Sequence, residues 1–162
     1  MNPFANVIGF DGSLADAIKK LKAAILYPPN GLNILLTGES GVGKTLIAEQ
    51  LHQFYQVKMN QEVPFIYFNC AEYFNNPELL TSHLFGYKKG SFTGAVNDQK
   101  GLVELADGGF LFLDEVHRLT SEGQEKLFTV LDKGYFTRMG EAEKQRNAVS
   151  YTHLTLPTNS RV

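Results

Sequence analysis

The sequence predicts an α/β domain, a three-layer αβα core around a parallel sheet, on three observations. Short runs that are predominantly apolar, Leu32 to Leu36, Phe65 to Phe68 and Phe110 to Leu113, alternate with segments of helical periodicity. Strands of that kind are buried on both faces by crossover helices. Gly38-Glu39-Ser40-Gly41-Val42-Gly43-Lys44-Thr45 lies between the first run and a helical segment and matches the phosphate-loop pattern G-x-x-x-x-G-K-[ST]. The third run ends in Asp114-Glu115. Ligands of doubly wound sheets collect at that end of a strand.

Taken in order, the first element is a helix. Ser13 is expected to cap it, Asp16 completes a capping box, and Leu14, Ile18, Leu21 and Ile25 recur at helical spacing. Lys19, Lys20 and Lys22 read as its solvated face. Pro28-Pro29 ends it, since proline removes a donor and crowds the preceding turn. The first strand then runs into the glycine-rich loop, and Ile47, Leu51 and Phe54 continue helically from it. The second strand follows Pro64, and the third follows the turn Asp107-Gly108-Gly109. A last helix begins near Ser121, buries Leu127, Phe128 and Leu131, and stops at Gly134. Core packing is the expected use of most of the twelve phenylalanines. From Ala148 to Ser160 the chain carries no charged side chain. Residues 1–147 are therefore read as the domain, and 148–162 as a non-native, cloning-derived tail outside its function, though able to make one more strand.

Composition bounds the function. The chain has 162 residues, 43% hydrophobic and 20% charged, enough for a buried core and too apolar for wholesale disorder. Fifteen basic against seventeen acidic side chains leave a formal charge of −2, which excludes a strongly basic nucleic-acid surface. The single cysteine, Cys70, excludes an internal disulfide and fits a reducing compartment. No apolar run is long enough to cross a membrane and no signal peptide is legible, so a cytoplasmic location is expected.

The phosphate loop carries the chemistry. Its glycines let successive backbone N–H groups converge on an anion, and the following helix adds its positive end. Lys44 can reach the outer phosphates of ATP, and the Thr45 hydroxyl can ligate Mg²⁺. Asp114 would hold the same Mg²⁺, and Glu115 would orient and polarise the attacking water. Asp114-Glu115-Val116-His117 also spells a D-E-x-H box, but a helicase needs further motor motifs that the sequence does not show, and His117 reads as a helix-entry or surface histidine. His52, His83 and His153 are too scattered for a metal site, and Cys70 reads as a packed small hydrophobe.

Between the second and third strands, Gly90-Ser91-Phe92-Thr93-Gly94-Ala95 places a Phe-Thr pair between glycines in a long insertion. Physically this is a loop offering one aromatic anchor to a partner, or a buried Phe in a glycine-rich turn. The six residues resemble the G-A-F-T-G-A signature of the sigma-54-dependent transcriptional activators, a branch of the AAA+ ATPases. The surrounding order is also similar: the phosphate loop, Phe68-Asn69-Cys70-Ala71, Leu84-Phe85-Gly86, the stretch Gly108 to Glu115, then Arg138-Met139-Gly140-Glu141. Tyr27-Pro28-Pro29-Asn30-Gly31-Leu32 is similar to the LevR/ManR-type activators of sugar phosphotransferase operons.

The resemblance implies a truncated AAA+ core that couples ATP hydrolysis to remodelling of the sigma-54 RNA polymerase closed complex. It implies that the loop from Gly90 to Ala95 engages sigma-54, and that Asn69 is a switch holding Glu115 away from water. Val7, Ile8 and Gly9 would lie near the adenine. Self-association into a ring and DNA contact through a separate domain belong to the full-length protein. The sequence departs from the family at Ser91, usually alanine, and at His83, often glutamate. After Asn147 it shows no Ala-Thr-Asn sensor strand, arginine finger or helical lid, so nucleotide binding with little turnover is expected of the chain alone. A nucleotide-gated docking module without catalysis, or another P-loop NTPase such as a helicase fragment or a kinase, are the alternatives.

Overall fold

The computed structural model describes residues 3–39, 41–73, 75–142, 145–146 and 151–156, the last two stretches as backbone strands. A 3-10 turn, Pro3–Asn6, leads through turns into α1 (Ala15–Ile25). Then come β1 (Ile34–Thr37), α2 (Lys44–Met59), β2 (Phe65–Asn69) and α3 (Pro77–Phe85). The hairpin β3 (Gly86–Tyr87) and β4 (Gln99–Lys100) carries the inserted loop and is followed by the single turn α4 (Leu102–Leu105). The chain continues with β5 (Phe110–Asp114), α5 (Ser121–Lys133), the short pair β6 (Tyr135–Phe136) and β7 (Gln145–Arg146), and β8 (Tyr151–Leu156).

The main sheet has the order β1-β8-β5-β2 and every pairing is parallel. Its two faces bury separate clusters, which makes the three predicted layers. Phe68, Leu111 and Leu113 meet Leu80, Leu84, Phe85, Val103, Leu127 and Val130 from α3, α4 and α5. On the other face, Ile34 and Phe110 meet Phe4, Ile18, Ile25 and Leu51 from the N-terminal segment, α1 and α2. β5 is covered on both sides, and Phe110 to Leu113 are all buried. The sheet is thus centred on the strand that delivers Asp114 and Glu115.

Three sequence expectations change. The residue capping α1 is Leu14, with no side-chain bond, rather than Ser13. The cause lies upstream: residues from Val7 onward form successive turns, and the Leu14 N–H already donates to the Gly9 carbonyl at 2.9 Å. Phe128, expected in the core, is 63% exposed, because α5 turns Leu127 and Val130 inward and leaves the residue between them outside. Lys22 is also less solvated than its face suggests, since its ammonium sits 4.5 Å from the Phe4 ring and 4.9 Å from the Phe54 ring. Of the stretch read as a tail, residues 151–156 form β8 between β1 and β5, the strand the sequence left open, while 148–150 and 157–162 lie outside the described residues.

Candidate nucleotide site and partner loop

The phosphate loop connects the C-terminal end of β1 to the N-terminus of α2. Gly41 (φ +81) and Gly43 (φ +93) are in the left-handed region, where a side chain is strained. A Cβ at either would meet nothing within 4 Å, so backbone conformation and not crowding demands glycine. Lys44 turns back over the loop, its Nζ donating to the Gly38 and Glu39 carbonyls, each at 2.8 Å. The ammonium therefore occupies the cradle on backbone carbonyls and can exchange them for phosphate oxygens. Thr45 stands in the first turn of α2; Ser40 lies outside the described residues. Val42 is 57% exposed and Ile8 is 95% exposed, free to lie against a ligand, whereas Val7 is buried in the core.

β2 and β5 bring the other site residues together. Their register pairs Asn69 with Asp114, so the resemblance's switch residue and its first acid stand side by side at the sheet's C-terminal edge. Asp114 Oδ1 accepts from the Glu115 N–H at 3.0 Å. Tyr67, stacked on Phe112 with ring centroids 5.6 Å apart, donates its hydroxyl to Asp114 Oδ2 at 3.3 Å. Sequence reading assigned Tyr67 only to a strand. The signal that could have found it is the cross-strand neighbourhood, where residue 67 faces 112 and lies two places from the acid. Burial, and then the Asp114 charge, push the Tyr67 phenol above its ordinary value, which keeps it a donor.

Glu115 adopts a left-handed conformation (φ 55, ψ 39) at the start of a 3-10 turn, Val116–Arg118. Its Oε2 lies 3.5 Å from His117 Nε2. Asn69 Oδ1 accepts from the Ala71 N–H at 3.0 Å. Cys70, just beyond, is fully buried, and burial, with Asp114 and Glu115 nearby, pushes its thiol up to about 12. The described residues hold no group of three or more His, Cys, Asp or Glu that could bind a metal ion by themselves. An oxygen set of one hydroxyl, one carboxylate and phosphate suits Mg²⁺, which keeps several waters and seldom takes an all-protein cage. The larger surface depressions, about 390 and 440 Å³, lie along α5 beside Glu125, Thr129 and Lys133, away from these residues.

The inserted loop is a separate built feature. Gly90 N–H donates to the Ala95 carbonyl at 2.8 Å and Ala95 N–H to the Phe92 carbonyl at 3.0 Å, with Gly90 and Gly94 at positive φ. Phe92 is 39% exposed and stands edge-on to Tyr87, centroids 4.9 Å apart. Thr93 and Gly94 are exposed, Ser91 is half-buried, and Ala95 is buried. The loop presents Phe92, Thr93 and Gly94 outward while Ala95 anchors it. Below, Asp98 accepts from the Lys89 N–H at 2.8 Å and from Lys88 Nζ at 3.0 Å, contacts that hold its carboxyl below the usual range. Buried Arg138 grips Glu104 of α4 through its Nε and Nη2, at 2.7 to 3.1 Å, and its own N–H points to Glu141. A Cβ at Gly140 would press on Ser91, 2.7 Å away, so glycine there lets the loop base close.

No described helix is long and apolar enough to cross a membrane. The sigma-54 interaction domain model matches residues 7–158. The transcriptional regulatory protein DagR of Salmonella typhimurium is 56% identical over 90% of this chain, and LevR of Bacillus subtilis is 55% identical over 91%. The chain spans 16% of the length of each. Among solved structures, NtrX from Brucella abortus in complex with ADP superposes with a TM-score of 0.69 at 28% identity, covering 93% of this chain and 30% of that one. NtrX has also been solved in complex with ATP, with a TM-score of 0.66. The parallel αβα core, the phosphate loop and the hairpin-borne loop are thus those of a known group, and the chain belongs to the sigma-54 interaction domain family of AAA+ transcriptional regulators, on the side of DagR and LevR.

Proposed function

We propose that this chain is the ATP-binding core of a cytoplasmic sigma-54-dependent activator, in which ATP hydrolysis drives remodelling of the sigma-54 RNA polymerase closed complex. The observation that carries the reading is that the Gly41-Gly43 cradle with Lys44 and the Asp114-Glu115 pair follow the C-terminal ends of β1 and β5, two strands of one parallel sheet with β8 between them. The nucleotides bound to NtrX support it.

In this reading Lys44 leaves the Gly38 and Glu39 carbonyls for the outer phosphates, and the loop N–H groups from Gly38 to Thr45, Ser40 included, cradle the chain of phosphates. Ile8 and its neighbours cover the adenine. Thr45 and Asp114 would hold Mg²⁺, which neutralises charge on the phosphates when bound. Tyr67 keeps Asp114 aimed at the site. Glu115 accepts a hydrogen bond from water and orients it for attack on the γ-phosphate, ADP being the leaving group. Asn69 stands beside the pair as the switch that the resemblance implies.

The loop Gly90-Ser91-Phe92-Thr93-Gly94-Ala95 is the contact for sigma-54, made through Phe92 and Thr93 on the anchor of Ala95. Ring assembly and DNA binding are functions of the longer protein. In that longer protein, Glu115→Gln should bind ATP at wild-type affinity and lose at least about a hundredfold in turnover, as removal of a water-positioning group does. Thr93→Ala should keep ATP turnover and lose nucleotide-dependent binding to purified sigma-54. Retained sigma-54 binding would remove the loop assignment. The division at residue 147 belongs to the same proposal, and resequencing the locus across codons 140–162 tests it: genomic codons for Tyr151 to Leu156 in frame with Asn147 would make the tail native.

A further inference from the structure

We infer that the sigma-54 contact extends beyond the tip of the inserted loop into a notch between Phe92, Leu79 of α3 and Met139. The notch receives one aliphatic side chain of sigma-54, flanked by a basic side chain that faces Glu78. This deepens the proposed function and rests on the loop from Gly90 to Ala95 being the sigma-54 contact.

Three separate elements build the notch. Asn76, Glu78, Leu79 and Ser82 come from α3 and its cap, Phe92 from the inserted loop, and Met139 from the segment that follows β6. They enclose about 120 Å³. Ligand pockets run to about 300–1,000 Å³, so this space suits a single side chain and not a small-molecule ligand. Each wall is held by its own contacts. Asn76 Oδ1 accepts from the Leu79 N–H at 3.1 Å, and Pro77 opens α3. The Met139 N–H donates to the Gly86 carbonyl at 3.0 Å, and its carbonyl accepts from the Lys88 N–H at 2.9 Å. Phe92 stands edge-on to Tyr87. The notch is therefore formed before a partner arrives, and filling it requires little ordering of the walls.

Its chemistry selects the occupant. Leu79 and Phe92 are 40% and 39% exposed, two large apolar side chains lining one gap that water can enter. Ser82 is buried and its hydroxyl already donates to the Leu79 carbonyl at 2.8 Å. Glu78 is exposed and supplies the charge of the lining. A carboxylate beside an apolar gap favours a partner segment with Lys or Arg next to its aliphatic anchor. Phe92 belongs to both the notch and the loop, so a partner seated on Phe92 and Thr93 reaches the notch without a second docking event.

The test measures the Kd of the longer protein for purified sigma-54 in the presence of ATP, at low and high salt. Leu79→Ala should raise Kd about five- to tenfold, as loss of an interface anchor does. Leu79→Met, which keeps an apolar wall, should stay within about twofold of wild type. Glu78→Gln should raise Kd about threefold at low salt and leave it unchanged at high salt, where the rim charge is screened. Should Leu79→Ala impair folding, seen as a lowered urea midpoint, the salt dependence in Glu78→Gln carries the decision. An unchanged Kd in Leu79→Ala or in Glu78→Gln at low salt overturns the inference. So does a change in self-association of Leu79→Ala without a change in Kd, which would give the notch to a second copy of the chain. Retained binding in Thr93→Ala would instead overturn the loop reading on which the notch rests, so the two failures are distinguishable.

Discussion

At the scale of single residues, burial next to charge decides the chemistry. Cys70 follows β2 and is fully buried, and burial, with the charges of Asp114 and Glu115, pushes its thiol up to about 12. At pH 8 the buried thiol therefore stays protonated, and the thiolate is the form that attacks thiol reagents. An aromatic disulfide reagent at pH 8 should label the native chain only slowly and the urea-unfolded chain within minutes; fast native labelling would contradict the burial. The sign for stability follows. The folded value lies above the ordinary thiol value of 9.0, so the unfolded chain ionises first and this group destabilises the fold increasingly between pH 9 and about 12. Tyr67 shows the same dependence on neighbours, its phenol raised by burial and then by the Asp114 charge. Its contacts are not written in residue type, since a tyrosine in a strand is by default a packing residue.

At the scale of elements, caps and close approaches set the boundaries. α5 begins where Thr120 Oγ1 accepts from the Gly123 N–H at 3.1 Å and ends on Gly134 at positive φ, as the sequence indicated. Thr120→Ala should cost about 1 kcal/mol, read as a lower urea midpoint with unchanged slope. Removing one partner of the Arg138–Glu104 pair is a larger insult, because Arg138 is 9% exposed and its charge would stay buried. Glu104→Ala, which leaves the Arg138 guanidinium buried without its carboxylate, should cost about 3 kcal/mol, measured in the same titration, and loosen the base of the Phe92 loop. The strand runs and their order along the chain were legible because they are predominantly apolar and bounded by turn residues. The start of α1 was not, because Ser13 is an acceptable cap in isolation and lost the role to the turn that ties Leu14 to Gly9. Phe128 was misplaced for a similar reason: helical period marks a stripe, but the angle at which α5 meets the sheet decides which edge of the stripe stays wet.

At the scale of the whole molecule, nucleotide and fold should be coupled. The loop that would hold phosphate joins β1 to α2, so a ligand there ties one sheet edge to the opposite layer. ADP at a hundred times its Kd should stabilise the chain by about 2.7 kcal/mol, seen as a raised Tm, and Lys44→Ala should abolish most of that rise. Equal shifts in both proteins would mean that ADP binds elsewhere.

The sequence by itself determined the layered α/β class, the phosphate loop and the acidic pair. Each is a local pattern whose chemistry needs particular residue types at fixed spacing, and so it survives without coordinates. It also determined the family, through the order of motifs from Gly38 to Glu141. Tertiary structure alone decided what touches what: Tyr67 on Asp114, His117 on Glu115, Arg138 on Glu104, and β8 between β1 and β5. Those contacts join residues from different elements or depend on one unusual turn, and their energies come from burial and orientation, which no single stretch of sequence contains.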